Sequence, residues 1–280
     1  MCTNGLAQGT DSISYKFFVA GHAYGSPHEP HENKGLHPPF KEKLGLIKND
    51  TDILFGILTG DVVYKASLKQ EWEELEADLL ETGKRIFVAP GNHDVAKKDQ
   101  RALFTKMFGA SYRSFQKGKD LFIILDPNLD KWNISGEQLK WLREKVIPKA
   151  EKAKNVFVFF HQLLWWAKDN DYRKYRPNSP SGRAEEINFF TEVFPLFKNL
   201  NKPVYMFAGD TGAFKKGIMY HKEGDITFIA SGMGGRKEDN FIITTIHKDS
   251  KVSFELVALN GDDKAAMGSL EEHALQVKKK

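Results

Sequence analysis

Five short stretches of this 280-residue chain carry side chains that bind metals or move protons: Gly21-His22, Gly60-Asp61, Gly91-Asn92-His93-Asp94, His161 and Gly209-Asp210. Each is ordinary alone. A Gly-Asp pair after a strand is common in turns, and an isolated buried histidine more often hydrogen-bonds than ligates. The Gly-Asn-His-Asp block is more specific, because glycine lets the chain turn sharply while three polar side chains project together. Taken jointly, carboxylate, imidazole and amide oxygen suit a hard-to-borderline ion such as Mn, Fe or Zn. An imidazole in the same place can also serve as a general acid near neutral pH.

These stretches stand where strands should end. Apolar runs at 15–20, 52–60, 84–90, 120–126, 155–160 and 203–209 read as strands buried on both faces, with helical spacing at 67–82, 98–108, 135–151 and 185–199. Residues just beyond the carboxyl ends of such strands converge on one crevice. Runs at 216–221, 226–231, 240–247 and 252–258 follow one another without a helix and predict an antiparallel meander completing a second sheet. The fold expected is α/β, two sheets packed together with helices outside. Residues 1–14 form a polar leading segment, 15–260 one domain, and 261–280 a polar tail. Two stretches lack regular patterning, 23–40 and 162–184, and each follows one of the strand-end histidines, His22 or His161. Long irregular loops in a compact domain are usually functional or disordered, and this placement favours function.

Composition narrows the classes. Apolar content of 41% with 28% charged residues is that of a water-soluble globular domain. The net charge of +4 is modest and sits partly in Lys278–Lys280, so neither a nucleic-acid polymer nor a membrane surface is called for as partner. The single cysteine, Cys2, excludes an internal disulfide and a cysteine-cluster metal site. No apolar run approaches a membrane span. A cytoplasmic protein is expected, with a lipoprotein whose signal has been removed as the alternative. Oligomeric state is not legible.

The ordered blocks Gly60-Asp61, Gly91-Asn92-His93-Asp94, His161 after an apolar strand and Gly209–Gly212 resemble the calcineurin-like metallophosphoesterases over about residues 15–260. The resemblance implies a four-layer αββα sandwich holding two metal ions at its strand ends, where an activated water attacks phosphorus. It implies Asp61 as the bridging carboxylate, with Asn92 and His161 as further ligands. His93 would face the phosphate and protonate the leaving oxygen, with Asp94 orienting its ring.

Two blocks depart from the family pattern. Its first block, Asp-x-His, is read here onto Ala20-Gly21-His22, and its last, Gly-His-x-His, onto Gly209-Asp210-Thr211-Gly212. One ion then keeps Asp61, Asn92, His161 and Asp210, while the other keeps only His22 and Asp61. Three outcomes are open: a single-metal enzyme with His22 acting on substrate or water, a second ion rescued by His28, Glu29, His31, Glu32 or His37, or a binding protein on an enzyme's scaffold. The polar, glycine-flanked composition of both altered blocks favours a working site. For specificity, Trp165, Trp166, Tyr172 and Tyr175 are candidates to stack on a sugar or base, and Arg173 and Arg176 to grip phosphate. The opposing reading packs the tryptophans onto the domain and leaves the arginines solvated. Tyr24, two residues past His22, is placed to reach the same pocket. The expected activity is metal-dependent hydrolysis of a small phosphoester, such as a phosphosugar or nucleotide. The alternatives are a degenerate phosphate- or glycan-binding protein, or hydrolysis of another bond by the same centre.

Overall fold

The computed structural model describes residues 13–27, 35–214, 216–259 and 267–275. The strands are β1 (Ile13–Ala20), β2 (Ile53–Leu58), β3 (Arg85–Val88), β4 (Arg113–Lys117), β5 (Asp120–Ile124), β6 (Val156–Phe160), β7 (Val204–Ala208), β8 (Ile218–Glu223), β9 (Ile226–Ser231), β10 (Asn240–His247) and β11 (Val252–Ala258). One sheet has the order β11-β10-β1-β2-β3 and the other β4-β5-β6-β7-β9-β8. β1, β2 and β3 are parallel, as are β5, β6, β7 and β9, so their carboxyl ends share one edge of the sandwich.

Alternation within each strand divides its side chains between layers. In β1, Phe17 and Val19 pack between the sheets, whereas Phe18 and Ala20 pack toward the helices. The inner layer is aromatic. Phe122 stacks on Phe157 at 5.0 Å between ring centres, Phe157 on Tyr205 at 5.2 Å, and Phe17 meets Phe122 edge-on at 5.2 Å. Such pairs add about 0.5–1.5 kcal/mol each beyond their buried area. This rigid layer is what the strand-end residues stand on.

Four expectations change. The four tail runs do not complete one sheet. β8 and β9 extend the second sheet beyond β7, while β10 crosses back to pair antiparallel with β1, and β11 follows it. The strand β4 lies outside the expected runs, since RSFQK is half-exposed with one apolar side chain. The helix expected over 135–151 is an α-helix Gly136–Trp141, a π-turn Leu142–Val146 and a final α-turn Ile147–Ala150. The one expected over 185–199 begins only at Phe189, with a π-turn Phe189–Val193 before Phe194–Lys198. Both π-turns precede a proline, Pro148 or Pro195. Each proline lacks the amide hydrogen and crowds the carbonyl one turn earlier, so the helix widens there.

Within the tail expected to be polar, Met267 and Leu270 bury themselves in the inner layer, and the Leu275 amide donates to the Tyr220 carbonyl at 2.7 Å. Among the described residues no helix is long and apolar enough to cross a membrane.

Candidate metal centre

The parallel strands deliver His22 after β1, Asp61 after β2, Asn92–Asp94 after β3, His161 after β6 and Asp210 after β7 to one place. Asp61 sits at its middle, 2% exposed. Its Oδ1 accepts from the His93 amide at 3.0 Å, which leaves Oδ2 between two imidazoles. His161 Nε2 lies 3.3 Å from that oxygen and His22 Nε2 3.7 Å. His161 Nε2 is also 3.9 Å from Asp210 Oδ1. Gly91 permits the approach of the third strand's turn, since a Cβ there would lie 2.1 Å from Asp61 Oδ1. His22 and Asp61 both hold φ of +51°, a left-handed conformation costly for a residue with a Cβ. Such strain clusters where function demands a particular placement.

All three histidines are oriented alike. Nδ1 faces a backbone carbonyl in each: His22 to Met233 at 2.9 Å, His161 to Thr59 at 2.8 Å, His93 to Tyr64 at 2.9 Å. A carbonyl only accepts, so each Nδ1 carries a hydrogen, and Nε2 is the atom turned to other partners. Second-partner fixing of this kind is the usual support for an imidazole ligand. His161 Nε2 and Asp210 Oδ2 are buried and find no hydrogen-bond partner among the described residues. Each such orphan costs about 1–3 kcal/mol unless something fills the gap.

Electrostatics sharpen this. Burial pushes His22 down to about 4 despite the Asp61 carboxylate, so it is neutral and its Nε2 lone pair is free. For His161 burial acts downward too, but Asp61 and Asp210 outweigh it and raise the ring to about 9. Burial lifts Asp210 to about 7. Burial also opposes the Asp61 charge, yet the neighbouring histidines hold its carboxyl well below the usual range. In the metal-free protein, then, a proton on His161 balances the carboxylates.

These donors fit a divalent ion. Metal bonds of about 2.0–2.2 Å to nitrogen and oxygen set neighbouring ligand atoms roughly 3.0–3.5 Å apart. The 3.3 Å His161–Asp61 separation matches, and the 3.7 and 3.9 Å ones are slightly wide. Among the described residues no three His, Cys, Asp or Glu side chains close into a ready-made cage. The cluster is an open set of donors around a proton that an ion would displace.

A match to the calcineurin-like phosphoesterase model spans residues 24–211. The chain belongs to this family. Members generally hold two divalent metal ions. Among solved structures, the purple acid phosphatase PPD1 from yellow lupin (Lupinus luteus) seeds aligns with a TM-score of 0.65 at 14% identity, covering 90% of this chain and 53% of that one. This chain therefore spans about half the length of the lupin phosphatase. TT1561 of Thermus thermophilus aligns with a TM-score of 0.50 at 13% identity, covering 89% of this chain and 100% of that one. At these identities the likeness shows the fold alone. Among curated proteins none matches the sequence.

Several expectations about this calcineurin-like site need correction. Asp94 does not orient the ring of His93, which the Tyr64 carbonyl holds. Its carboxylate accepts instead from the amides of Val62, Val63 and Gly91 at 2.9, 3.3 and 2.8 Å, tying the second and third strand ends together. Ala20 is not the seat of a missing ligand. It is still inside β1, paired with Leu58 and packed toward the helices, so no side chain there faces Asp61. The positions that leave the strand end are 22 and 24. Tyr24 is 2% exposed, with its ring 4.3 Å from that of His22 and 5.1 Å from that of His93, so it walls the centre. At Gly212, φ is +99° and a Cβ would lie 2.7 Å from the Met233 amide nitrogen, so the backbone admits no ligand side chain there.

The insert at 162–184 is tied inward. Trp165 and Trp166 are 0% and 4% exposed in the hydrophobic core; Trp165 is closed to a substrate, and Trp166 reaches only the edge of a cavity it lines with Pro180 and Arg183. The Tyr172 hydroxyl donates to Glu223 at 3.2 Å and that of Tyr175 to the Lys216 carbonyl at 2.6 Å. Arg173 and Arg176 are exposed, and Arg173 bonds its own loop through the Asn170 carbonyl at 3.4 Å. His28, Glu29, His31 and Glu32 lie outside the described residues. His37 is described and stands against Asp239, Nε2 to Oδ2 3.4 Å, rather than against Asp61. Sequence reasoning missed Tyr64, whose ring stacks on His93 at 5.7 Å. It also missed the three carbonyl partners, which no side-chain type signals.

Proposed function

We propose that this chain is a metal-dependent phosphoester hydrolase. The observation that carries the reading is Asp61 Oδ2 flanked by two imidazole Nε2 atoms whose Nδ1 positions are both locked on carbonyls. His161, Asp61, Asp210 and the half-buried Asn92 would hold one ion, with His22 and a shared Asp61 left for another. Bound metal supplies Lewis acidity and a water of near-neutral pKa. The chain's own residues do the rest. His93, half-buried and fixed through Nδ1, gives the Nε2 proton of its imidazolium form to the leaving oxygen. Tyr24 and Tyr64 wall the cleft beside it and limit water. We propose a small phosphorylated metabolite, such as a phosphosugar or nucleotide, as substrate.

The test is turnover of mono- and diester panels with Mn, Fe or Zn. Activity that requires metal, and that His93→Ala cuts by about 10²–10⁴-fold with the larger loss on poorer leaving groups, supports the reading. Absence of bound metal and of turnover with every ion sinks it. The second reading, a phosphate- or glycan-binding protein, is favoured by the backbone closure at Gly212. Ligand binding without turnover would establish it.

A further inference from the structure

A second buried ionisable pair lies behind His22. His37 and Asp239 are 1% and 0% exposed, and neither ring nitrogen of His37 nor Asp239 Oδ1 completes a hydrogen bond among the described residues. Such a pair serves stability poorly, since apolar groups of similar volume are often as good or better. Its surroundings suggest another use. Asp239 Oδ2 accepts from the amides of Gly234 and Gly235 at 2.9 and 2.7 Å, which closes the turn after β9. Next to those glycines is Met233, whose carbonyl takes the His22 Nδ1 hydrogen. On the other side, the His37 amide donates to the Ala23 carbonyl at 2.7 Å. Its ring lies flush on Gly25, where a Cβ would be 2.1 Å from Nδ1 and where φ is +87°. The contacts make a closed circuit: His22, Met233, the Gly234–Gly235 turn, Asp239, His37, and back through Ala23 and Gly25.

We infer that His37 and Asp239 are positioning residues that hold the Met233 carbonyl and the His22 loop in register, and so keep His22 with its hydrogen on Nδ1 and its Nε2 turned to Asp61. The inference rests on the proposed metal site for its purpose but not for its test. Imidazole nitrogen NMR on the metal-free protein reads the tautomer of the neutral His22 directly and the doubly protonated His161 as an imidazolium. His161, locked on Thr59, is the internal control. In Asp239→Ala, the His22 signal is expected to move from the Nδ1–H form to a mixture of tautomers while His161 holds. Asp239→Asn, which keeps an acceptor for the glycine amides, restores most of the original signal. His37→Gln, which preserves volume, moves His22 in the same direction as Asp239→Ala and covers a failure of that variant to fold. An unmoved His22 in a folded variant, or His22 and His161 moving together, overturns the inference. In titrations with Mn(II) alone, Asp239→Ala is expected to weaken binding about 10–100-fold. It adds nothing in a His22→Ala background, because the two act through one contact. An equal loss in both backgrounds overturns it as well. If the chain binds no metal, the titration is flat throughout and the tautomer reading still decides.

Discussion

The two ends of the sandwich each bury a polar cluster, and they are built on opposite principles. At the amino end of the parallel strands, Asp120 is 3% exposed and fully employed. Its Oδ2 accepts from the Tyr15 hydroxyl at 2.6 Å, and its Oδ1 from the Asn155 amide and side chain at 3.2 and 2.8 Å. Asn155 closes the set by donating to the Ser250 carbonyl at 3.1 Å. At the carboxyl end, His161 Nε2 and Asp210 Oδ2 are as deeply buried yet complete no hydrogen bond among the described residues. A satisfied buried network rigidifies a fold. An unsatisfied one is a stability cost that makes sense when a ligand is to fill it. The contrast separates scaffold from site without reference to any relative.

The largest expected effect breaks the carboxyl end. Asp61→Asn should lower metal-dependent turnover at least about a thousandfold, roughly 4 kcal/mol of barrier, in an initial-rate assay at saturating metal. Loss of this size with little change in unfolding midpoint confirms that the cluster serves chemistry rather than folding. Next comes the insert that was expected to grip substrate. Trp165→Ala should cost about 3–5 kcal/mol in urea unfolding, the penalty for emptying a core site. Substrate preference should not change, and a shift in KM for one substrate class alone would return Trp165 to the site. At the amino end, Tyr15→Phe strips Asp120 of a charge-assisted bond and should cost about 1.5–3 kcal/mol, with turnover unchanged.

The last effect is a dependence on pH, and it has opposite signs with and without metal. His161 is raised from 6.5 to about 9 and Asp210 from 3.8 to about 7 in the metal-free fold. A raised group contributes stability that is complete below its unfolded value and is lost as pH rises through its folded value. Below pH 6.5 the lowered His22 and the raised Asp210 act in opposite directions, so the metal-free protein should weaken chiefly between about pH 6.5 and 9, a loss largely absent in His161→Gln. Metal replaces that proton, so added Mn(II) should stabilise more at about pH 8 than at about pH 6, the reverse slope. Urea midpoints across this range, with metal and with chelator, measure both.

Much of this was legible in the residues. Six apolar strands, the layered fold and the convergence of His22, Asp61, His93, His161 and Asp210 follow from period, punctuation and the rule that strand ends share an edge. What failed did so for local reasons. The tail runs carry no mark of which sheet they join, because β9 and β10 present the same apolar pattern to either neighbour. The tryptophans of the insert are equally suited to a core and to a sugar. Ala20 and His22 differ by two residues, and only the length of β1 decides which of them leaves the sheet.

The sequence by itself determined the chemistry on offer: which side chains can donate, and that they come at the ends of strands. The period of an apolar run and the glycine after it are local properties, and they survive without any tertiary context. Tertiary structure alone decided what each donor faces. The hydrogen on each imidazole is set by a carbonyl contributed from far along the chain, Met233 for His22 and Thr59 for His161. A carbonyl belongs to every residue alike, so nothing in the order of side chains announces it.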